Sequence, residues 1–354
     1  MPQKSTFRTA IGVRTVREAL IVEIVSKDGL IGYGECSCRP DPFYSHEFVD
    51  GAAALIQKFI APQLANGSSY QDLLNINGRI RGWHFAKSAV EFSFNDNLRR
   101  RTGTGLIEHV NMPSVDQVPV GISLGLFDDA DTLISKASEA INEGYKRIKF
   151  KISPTYSDPS VLAAIAELRF DNISLDANGS FDMGDFALLN TFASMGYMIE
   201  QPFAPGDQYL MKEYDEGGYA PIKLCLDEEI ESLGVLKSYK DPLAEDNIKP
   251  GRVGGLLATL NMIQYCKAAN ISAWIGGMFE TGIGRALNLQ VASLLVDAKA
   301  HDQSPSNRYF KQDVLKQQIV LTDGLIQRSA FGDVEVDTDV LDNLTTSLET
   351  FKYE

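Results

Sequence analysis

The sequence predicts an α/β protein whose main body is a (β/α)8-type barrel of parallel strands, with a smaller α+β segment ahead of it. Three observations carry that prediction. Short apolar runs recur past Pro119 at intervals of about 22–29 residues. The text between them has helical patterning, as repeated strand–helix units require. Charged residues close five consecutive runs, at the strand ends where a barrel of this kind carries its chemistry.

Ahead of the barrel, Arg17 to Glu35 reads REALIVEIVSKDGLIGYGE: an apolar stretch, an Asp28–Gly29 turn and a second short run. That pattern predicts a β-hairpin. Helices are expected near 46–64, 70–80 and 85–101, where Phe85, Ala89 and Phe92 space out a buried stripe. The barrel strands then follow as VPVGIS at 118, RIKFKI at 147, ISLDAN at 173, YMIEQP at 197, IKLCLDE at 222, DNIKP at 246 and SAWIGG at 272. A weaker candidate lies near Lys299. Helical text fills 129–144, 158–168, 254–269 and 281–296. A doubly wound sheet is the alternative, yet it seldom uses eight such evenly spaced units. From about 317 the text returns to strand-like IVLTDG and LIQRSA, then to a polar C-terminal helix. No low-complexity linker separates the parts, so they are expected to pack closely.

Composition bounds the function. The 354 residues include 33 Lys and Arg against 47 Asp and Glu, a net charge of −14, which argues against nucleic-acid or anionic-membrane partners. A local cationic pocket is still allowed, so a small anionic substrate stays open, as does a homo-oligomer. Of four cysteines, Cys36 and Cys38 have a one-residue gap, not the two-residue gap of zinc and redox motifs. Free thiols in a reducing cytoplasm are the simpler reading. Met1 to Thr9 has no apolar core of a signal peptide, and no run approaches the roughly 18 apolar residues of a spanning helix. A soluble cytoplasmic protein is expected.

The charged strand ends are, in order, Lys149 and Lys151, Asp176, Glu200, Asp227 with Glu228, and Lys249. Alternation along the strand turns Lys149 and Lys151 to one face. Three acids on neighbouring strands converge and, unpaired, raise one another's pKa. A hard divalent cation resolves this, and oxygen-only ligation favours Mg2+ or Mn2+ over zinc. Three separate salt bridges are the bland alternative. His46, His84, His109 and His301 are scattered and form no ligand spacing. A lysine must lose roughly three pKa units, about 4 kcal/mol, to act as a base near neutrality. Neighbouring Lys149, a metal ion and exclusion from water all push Lys151 that way.

The residues KFK at 149–151, DAN at 176–178, EQP at 200–202, DE at 227–228 and NIKPGRVGG at 247–255 resemble the enolase superfamily. More narrowly they resemble its muconate-lactonizing subgroup, in which lysines flank the site on both sides. WIGGMFETGIGRALNLQVAS at 274–293, followed by RYF at 308–310, is similar to the o-succinylbenzoate synthase/N-acylamino acid racemase family. With VPVGISLG at 118–125, the match runs from about residue 5 to residue 336.

The resemblance implies a TIM barrel in the modified (β/α)7β form with an α+β capping domain. Residues 1–116 would form the cap, 117–312 the catalytic barrel, and 313–354 a tail returning to the cap. It implies Asp176, Glu200 and Asp227 as Mg2+ ligands, Lys151 as the base and Lys249 on the opposite substrate face. Lys149 would tune Lys151, and Asn178 and Glu228 would support the ligands. Ser123, Gly276, Gly277 and Met278 would line the substrate pocket, while Arg285 reads as structural. Ser5 to Gly12, with Phe7, Arg8 and Thr9, resembles a mobile loop that closes over the barrel. Only four residues precede it, and Thr6 stands where proline is common, so its anchoring strand is expected to be incomplete.

The activity implied is o-succinylbenzoate synthase: syn-dehydration of a cyclohexadiene carboxylate (SHCHC) to 2-succinylbenzoate in menaquinone biosynthesis, through α-proton abstraction and an ene-diolate. Racemisation of N-acylamino acids, including N-succinyl derivatives, needs the same first half-reaction and stays open, as do both activities in one protein. A catalytically silent barrel used for binding is a reading of another class. The intact set of buried charges opposes it, because each is costly to keep.

Overall fold

The chain opens with two hairpins, β1 (Pro2–Thr9) with β2 (Gly12–Val16), then β3 (Leu20–Val25) with β4 (Ile31–Cys36). The structure is a computed structural model that describes residues 1–9, 12–64, 67–104, 106–156, 159–239, 243 and 245–352, without the side chains of 5–15 and 106–107. The expected incomplete anchoring strand is corrected. β1 starts at Pro2 and is held on both sides, by β2 and by a bridge from Gln3 to Phe310, with the Lys4 N–H donating to the Tyr309 carbonyl at 2.7 Å. Its second partner lies some three hundred residues away, beyond what local sequence can show. The side chains of Phe7, Arg8 and Thr9 lie outside the described residues.

The predicted Asp28–Gly29 turn joins β3 to β4. Gly29 has φ +80°, in the left-handed region where a side chain is strained. Four helices follow: α1 (Val49–Leu55), which continues as a wider turn over Ile56–Ile60, α2 (Tyr70–Arg79), α3 (His84–Thr102) and α4 (Leu106–His109). Helix α3 lies directly on the second hairpin. A Cβ on Gly34 would sit 1.9 Å from the Ala89 carbonyl oxygen, so only glycine permits the contact. Phe85, Ala89 and Val90 bury against Leu73, Ile76 and Cys36, and each large apolar side chain so buried contributes about 1.5–3 kcal/mol.

The predicted VPVGIS strand splits at Val120 into β5 (Gln117–Pro119) and β6 (Gly121–Leu124). From β6 the strands run parallel and in order: β7 (Arg147–Lys151), β8 (Ile173–Asp176), β9 (Met198–Glu200), β10 (Lys223–Leu226), β11 (Glu245–Ile248) and β12 (Ser272–Ile275). Between them and after β12 lie α5 (Ala130–Asn142), α6 (Pro159–Glu167), α7 (Phe186–Ser194), α8 (Gln208–Glu216), α9 (Leu233–Ser238), α10 (Pro250–Val253), α11 (Leu256–Ala269) and α12 (Gly282–Ala292).

The eighth position is corrected from a strand to a single parallel bridge, Val120 to His301. It still closes the ring. The His301 N–H donates to the Pro119 carbonyl at 2.9 Å, Gly121 N–H to His301 at 2.8 Å and Asp302 N–H to Ile275 at 3.0 Å. The local text, KAHDQSP, has no apolar run to extend a strand.

Along β7 the residues alternate as the pleat demands. Ile148 and Phe150 pack outward with Leu133, Val161 and Leu175, while Arg147, Lys149 and Lys151 turn into the barrel. Beneath the site, Met198, Cys225 and Trp274 form one interior layer, and the Arg147 guanidinium lies 3.8 Å above the Trp274 ring.

In the tail, β13 (Leu325–Gln327) pairs antiparallel with β5, and α13 (Thr338–Leu344) matches the predicted polar helix. The IVLTDG run contributes only a bridge, Thr322 to Leu325. The tail returns to α3, where Arg99 meets Asp333 at 2.6 Å and Arg100 donates to the Val334 carbonyl at 3.1 Å. No described helix is long and apolar enough to cross a membrane.

Candidate active site

Strand register sets the site. Lys151 pairs with Asp176 across β7–β8, and Asp176 with Glu200 across β8–β9, so three charged residues stand side by side. Asp227 follows β10 directly, and Lys249 follows β11, where Pro250 opens α10 behind it. β7 and β11 are four places apart in a ring of eight positions. Lys151 and Lys249 therefore face each other across the barrel, with the acids of β8, β9 and β10 on the arc between them.

Each lysine has its own partners. Lys149 lies 2.7 Å from Glu200, 2.5 Å from Asp302 and 3.3 Å from Asp176. Burial works against its charge, but Asp302, Glu200 and Asp176 together hold it well above the ordinary lysine range. Lys151 donates to Asp176 at 2.7 Å and to the Asn178 Oδ1 at 2.5 Å, and Asn178 in turn donates to Glu228 at 2.9 Å. Lys249 donates to Asp227 at 2.8 Å and to the Tyr44 hydroxyl at 2.9 Å. Burial again opposes its charge, and Asp227 followed by Tyr44 raises it. Arg252 donates to the other Asp227 oxygen and, at 3.1 Å, to Tyr44.

The carboxylates feel one another. Burial, then repulsion from Asp176, pushes Glu200 up to about 8, although Lys149 pulls it back. Burial and Asp227 push Glu228 up to about 7, and its Oε2 is buried with no partner among the described residues. Asp176 and Asp227 stay below the ordinary range despite burial, the first through Lys151 and Lys149, the second through Lys249 and Arg252.

The donor set fits a hard divalent cation: three buried carboxylates on neighbouring strand ends, oxygen only, one of them lifted by burial and by repulsion from the others. Among the described residues no three acids, cysteines or histidines already converge as a metal cage. Lys151, Lys149 and Lys249 stand on the same oxygens instead.

Ser123, Gly277 and Met278 line the cavity above these groups. At Gly276 a Cβ would strike Asn247 Oδ1 at 2.1 Å and the Lys249 side chain at 2.9 Å. Arg285 is buried and donates to Gln303 at 2.7 Å while pairing with Glu280 at 2.9 Å. Sequence reasoning missed Asp302, Tyr44, Arg252 and Asn247, whose amide donates to Glu200 at 2.7 Å. Arg252 and Asn247 sit in NIKPGRVGG beside Lys249 and could have been found there. Asp302 lies where only the weak candidate near Lys299 is legible, and Tyr44 in a loop with no periodicity.

Fold and site together define a class: a parallel α/β-barrel enzyme whose strand ends hold carboxylates between two facing lysines. Residues 132–332 match the enolase C-terminal domain-like family. The chain is 30% identical to an o-succinylbenzoate synthase from Listeria innocua, over 99% of this chain and 94% of that protein. It is 35% identical to an N-succinylamino acid racemase from Amycolatopsis, over 89% of this chain and 86% of that protein. A crystal structure of an enolase-superfamily member from Listeria innocua superposes with a TM-score of 0.89 at 29% identity, covering 98% and 95% of the two chains. The chain belongs to the enolase superfamily, and within it to the o-succinylbenzoate synthase/N-succinylamino acid racemase family.

Proposed function

We propose that this enzyme is an o-succinylbenzoate synthase, removing water from a cyclohexadiene carboxylate to give 2-succinylbenzoate in menaquinone biosynthesis. The observation that carries the reading is the pair of buried lysines facing each other across an arc of carboxylates. Lys151 Nζ takes the proton α to the substrate carboxylate, then returns it to the departing hydroxyl. Asn178, bonded to both Lys151 and Glu228, aims that amine. Lys249 keeps its charge and faces the ene-diolate from the other side. Lys149, held by three carboxylates, fixes Glu200 and Asp302 in place. Enzymes of this family use a divalent metal, and we assign Mg2+, with Mn2+ a substitute, to Asp176, Glu200 and Asp227. Bound there, the ion supplies Lewis-acid stabilisation of the carboxylate's developing charge.

Racemisation of N-succinylamino acids is the second reading, favoured by a specific contact. Tyr44 and Arg252 converge on Lys249 and Asp227, which orients Lys249 Nζ as closely as Lys151 and suits it to deliver a proton. Both activities share the first proton transfer. We assign residues 1–116 and 313–354 to a capping domain over a barrel of 117–312, supported by the return of the tail to α3 and the packing of Met278 in the N-terminal core. Incubation with SHCHC and Mg2+ tests the main reading: loss of its diene absorbance with 2-succinylbenzoate as product supports it, and no turnover of that compound removes it.

A further inference from the structure

The cavity wall contributed by the N-terminal segment holds an arginine whose charge has no counter-ion among the described residues. Among the cations lining the cavity, Lys149, Lys151 and Lys249 each face a carboxylate, Arg285 pairs with Glu280, and Arg39 pairs with Asp41 at 3.0 Å. Arg17 lines the same cavity from the junction of β2 and β3 and is only 5% exposed. Its Nη1 donates to the Cys38 carbonyl at 2.8 Å. Its Nε and Nη2 are buried and, among the described residues, have no partner, nor does any carboxylate lie within ion-pair distance. The main chain is fixed from both directions: Arg17 N–H donates to the Met1 carbonyl at 2.9 Å, and the Met1 ammonium donates to the Arg17 carbonyl at 2.8 Å.

A buried guanidinium with two idle donors is costly to maintain unless something completes it. Its planar fork matches a carboxylate, which can accept two parallel hydrogen bonds. Glu35 senses the charge, since Arg17 draws its carboxyl down against the rise that burial causes, but the two are not an ion pair. Glu35 is instead occupied by the Thr281 and Gly284 N–H groups and the Thr281 hydroxyl.

We propose that Arg17 binds the remote carboxylate of a succinyl-bearing substrate, the carboxylate that takes no part in the reaction. This rests on the function proposed above, because SHCHC and N-succinylamino acids both carry such a group. The reacting carboxylate goes to the strand ends, where the lysines stand. Its remote counterpart enters the same cavity, and among the described lining residues Arg17 is the cation left to receive it. Choice of acyl group and proton chemistry then reside on different segments of the chain.

Titration calorimetry of the Mg2+-loaded protein tests this with two ligands, 2-succinylbenzoate and 2-butanoylbenzoate, which differ only by a methyl in place of the remote carboxylate. Wild type binds the first about 30-fold more tightly. Arg17→Met brings the ratio to within about threefold, and Arg17→Lys, which keeps charge but not the fork, falls between. Racemisation of N-succinyl- against N-butanoyl-phenylalanine shows the same collapse, in KM and not kcat. A wild type without preference overturns the proposal, as does an Arg17→Met protein that weakens both ligands equally. The wild-type and Arg17→Lys ratios decide the matter if Arg17→Met does not fold. Preferential binding of 2-succinylbenzoate without turnover of SHCHC would remove the proposed function and leave the subsite standing.

Discussion

At the scale of single residues, the lysines are distinguished by what holds them. Lys151 is tied to Asp176 and Asn178, Lys249 to Asp227 and Tyr44. Replacing Lys249 by Arg keeps the ion pair but raises the pKa beyond useful proton transfer. Lys249→Arg should therefore abolish net racemisation while α-proton exchange by Lys151 survives with one enantiomer, as NMR in D2O will show. Asp302 makes a different point. It neutralises both Lys149 at 2.5 Å and Arg147 at 2.7 Å inside the barrel. Removing one partner of a buried pair leaves a stranded charge, so Asp302→Ala should cost about 3–5 kcal/mol in urea unfolding. A loss under 1 kcal/mol would contradict that role. The lysines and the three acids were legible in the sequence because each ends a recognisable apolar run. Asp302 was not, since it is brought in by closure of the ring and not by a run of its own.

At the scale of elements, buried carboxylates from the N-terminal segment complete helices of the barrel. Glu35, at the end of β4, accepts the Thr281 and Gly284 N–H groups at the start of α12. Glu91 on α3 accepts the Leu257 N–H at the start of α11 at 3.0 Å. Both meet the unsatisfied N–H groups and positive dipole of a helix start. Glu35→Ala leaves those donors buried without an acceptor, and a loss of about 1–3 kcal/mol should appear in denaturant unfolding. The eighth position offers a pH readout. His301 accepts the Ile275 N–H at 3.0 Å through Nδ1, and burial, then Arg147, push its pKa down to about 3. The folded state thus favours neutral imidazole. Its contribution is complete above the unfolded value of about 6.5 and declines as pH falls from there towards 3. At pH 5 about 2 kcal/mol should be gone. His301→Asn should remove that part of the slope between pH 6.5 and 5; an unchanged slope would contradict it. Helix starts and parallel strands could be read from capping residues and apolar runs. Caps supplied from another segment could not, because Glu35 and Thr281 are separated by most of the chain.

At the scale of the whole molecule, a strongly acidic protein lines a cavity with cations by setting buried lysines among buried acids. On the proposed assignment, a divalent ion entering Asp176, Glu200 and Asp227 would compete with Lys149, Lys151 and Lys249 for the same oxygens, linking metal binding to lysine release. Binding to the native state must stabilise it. Mg2+ should raise the melting temperature of the wild type and leave Asp227→Asn unmoved, a result that does not depend on knowing the substrate. The most direct test of the two-lysine site is deuterium exchange. In D2O with Mg2+, each enantiomer of N-succinylphenylalanine is followed by NMR for loss of the α-proton signal. With racemisation as the second activity, wild type should exchange both enantiomers, Lys151→Ala only the one served by Lys249, and Lys249→Arg only the other. Exchange of both enantiomers by either variant, or of neither by the wild type, would contradict the assignment of Lys151 and Lys249 as acid and base on opposite faces.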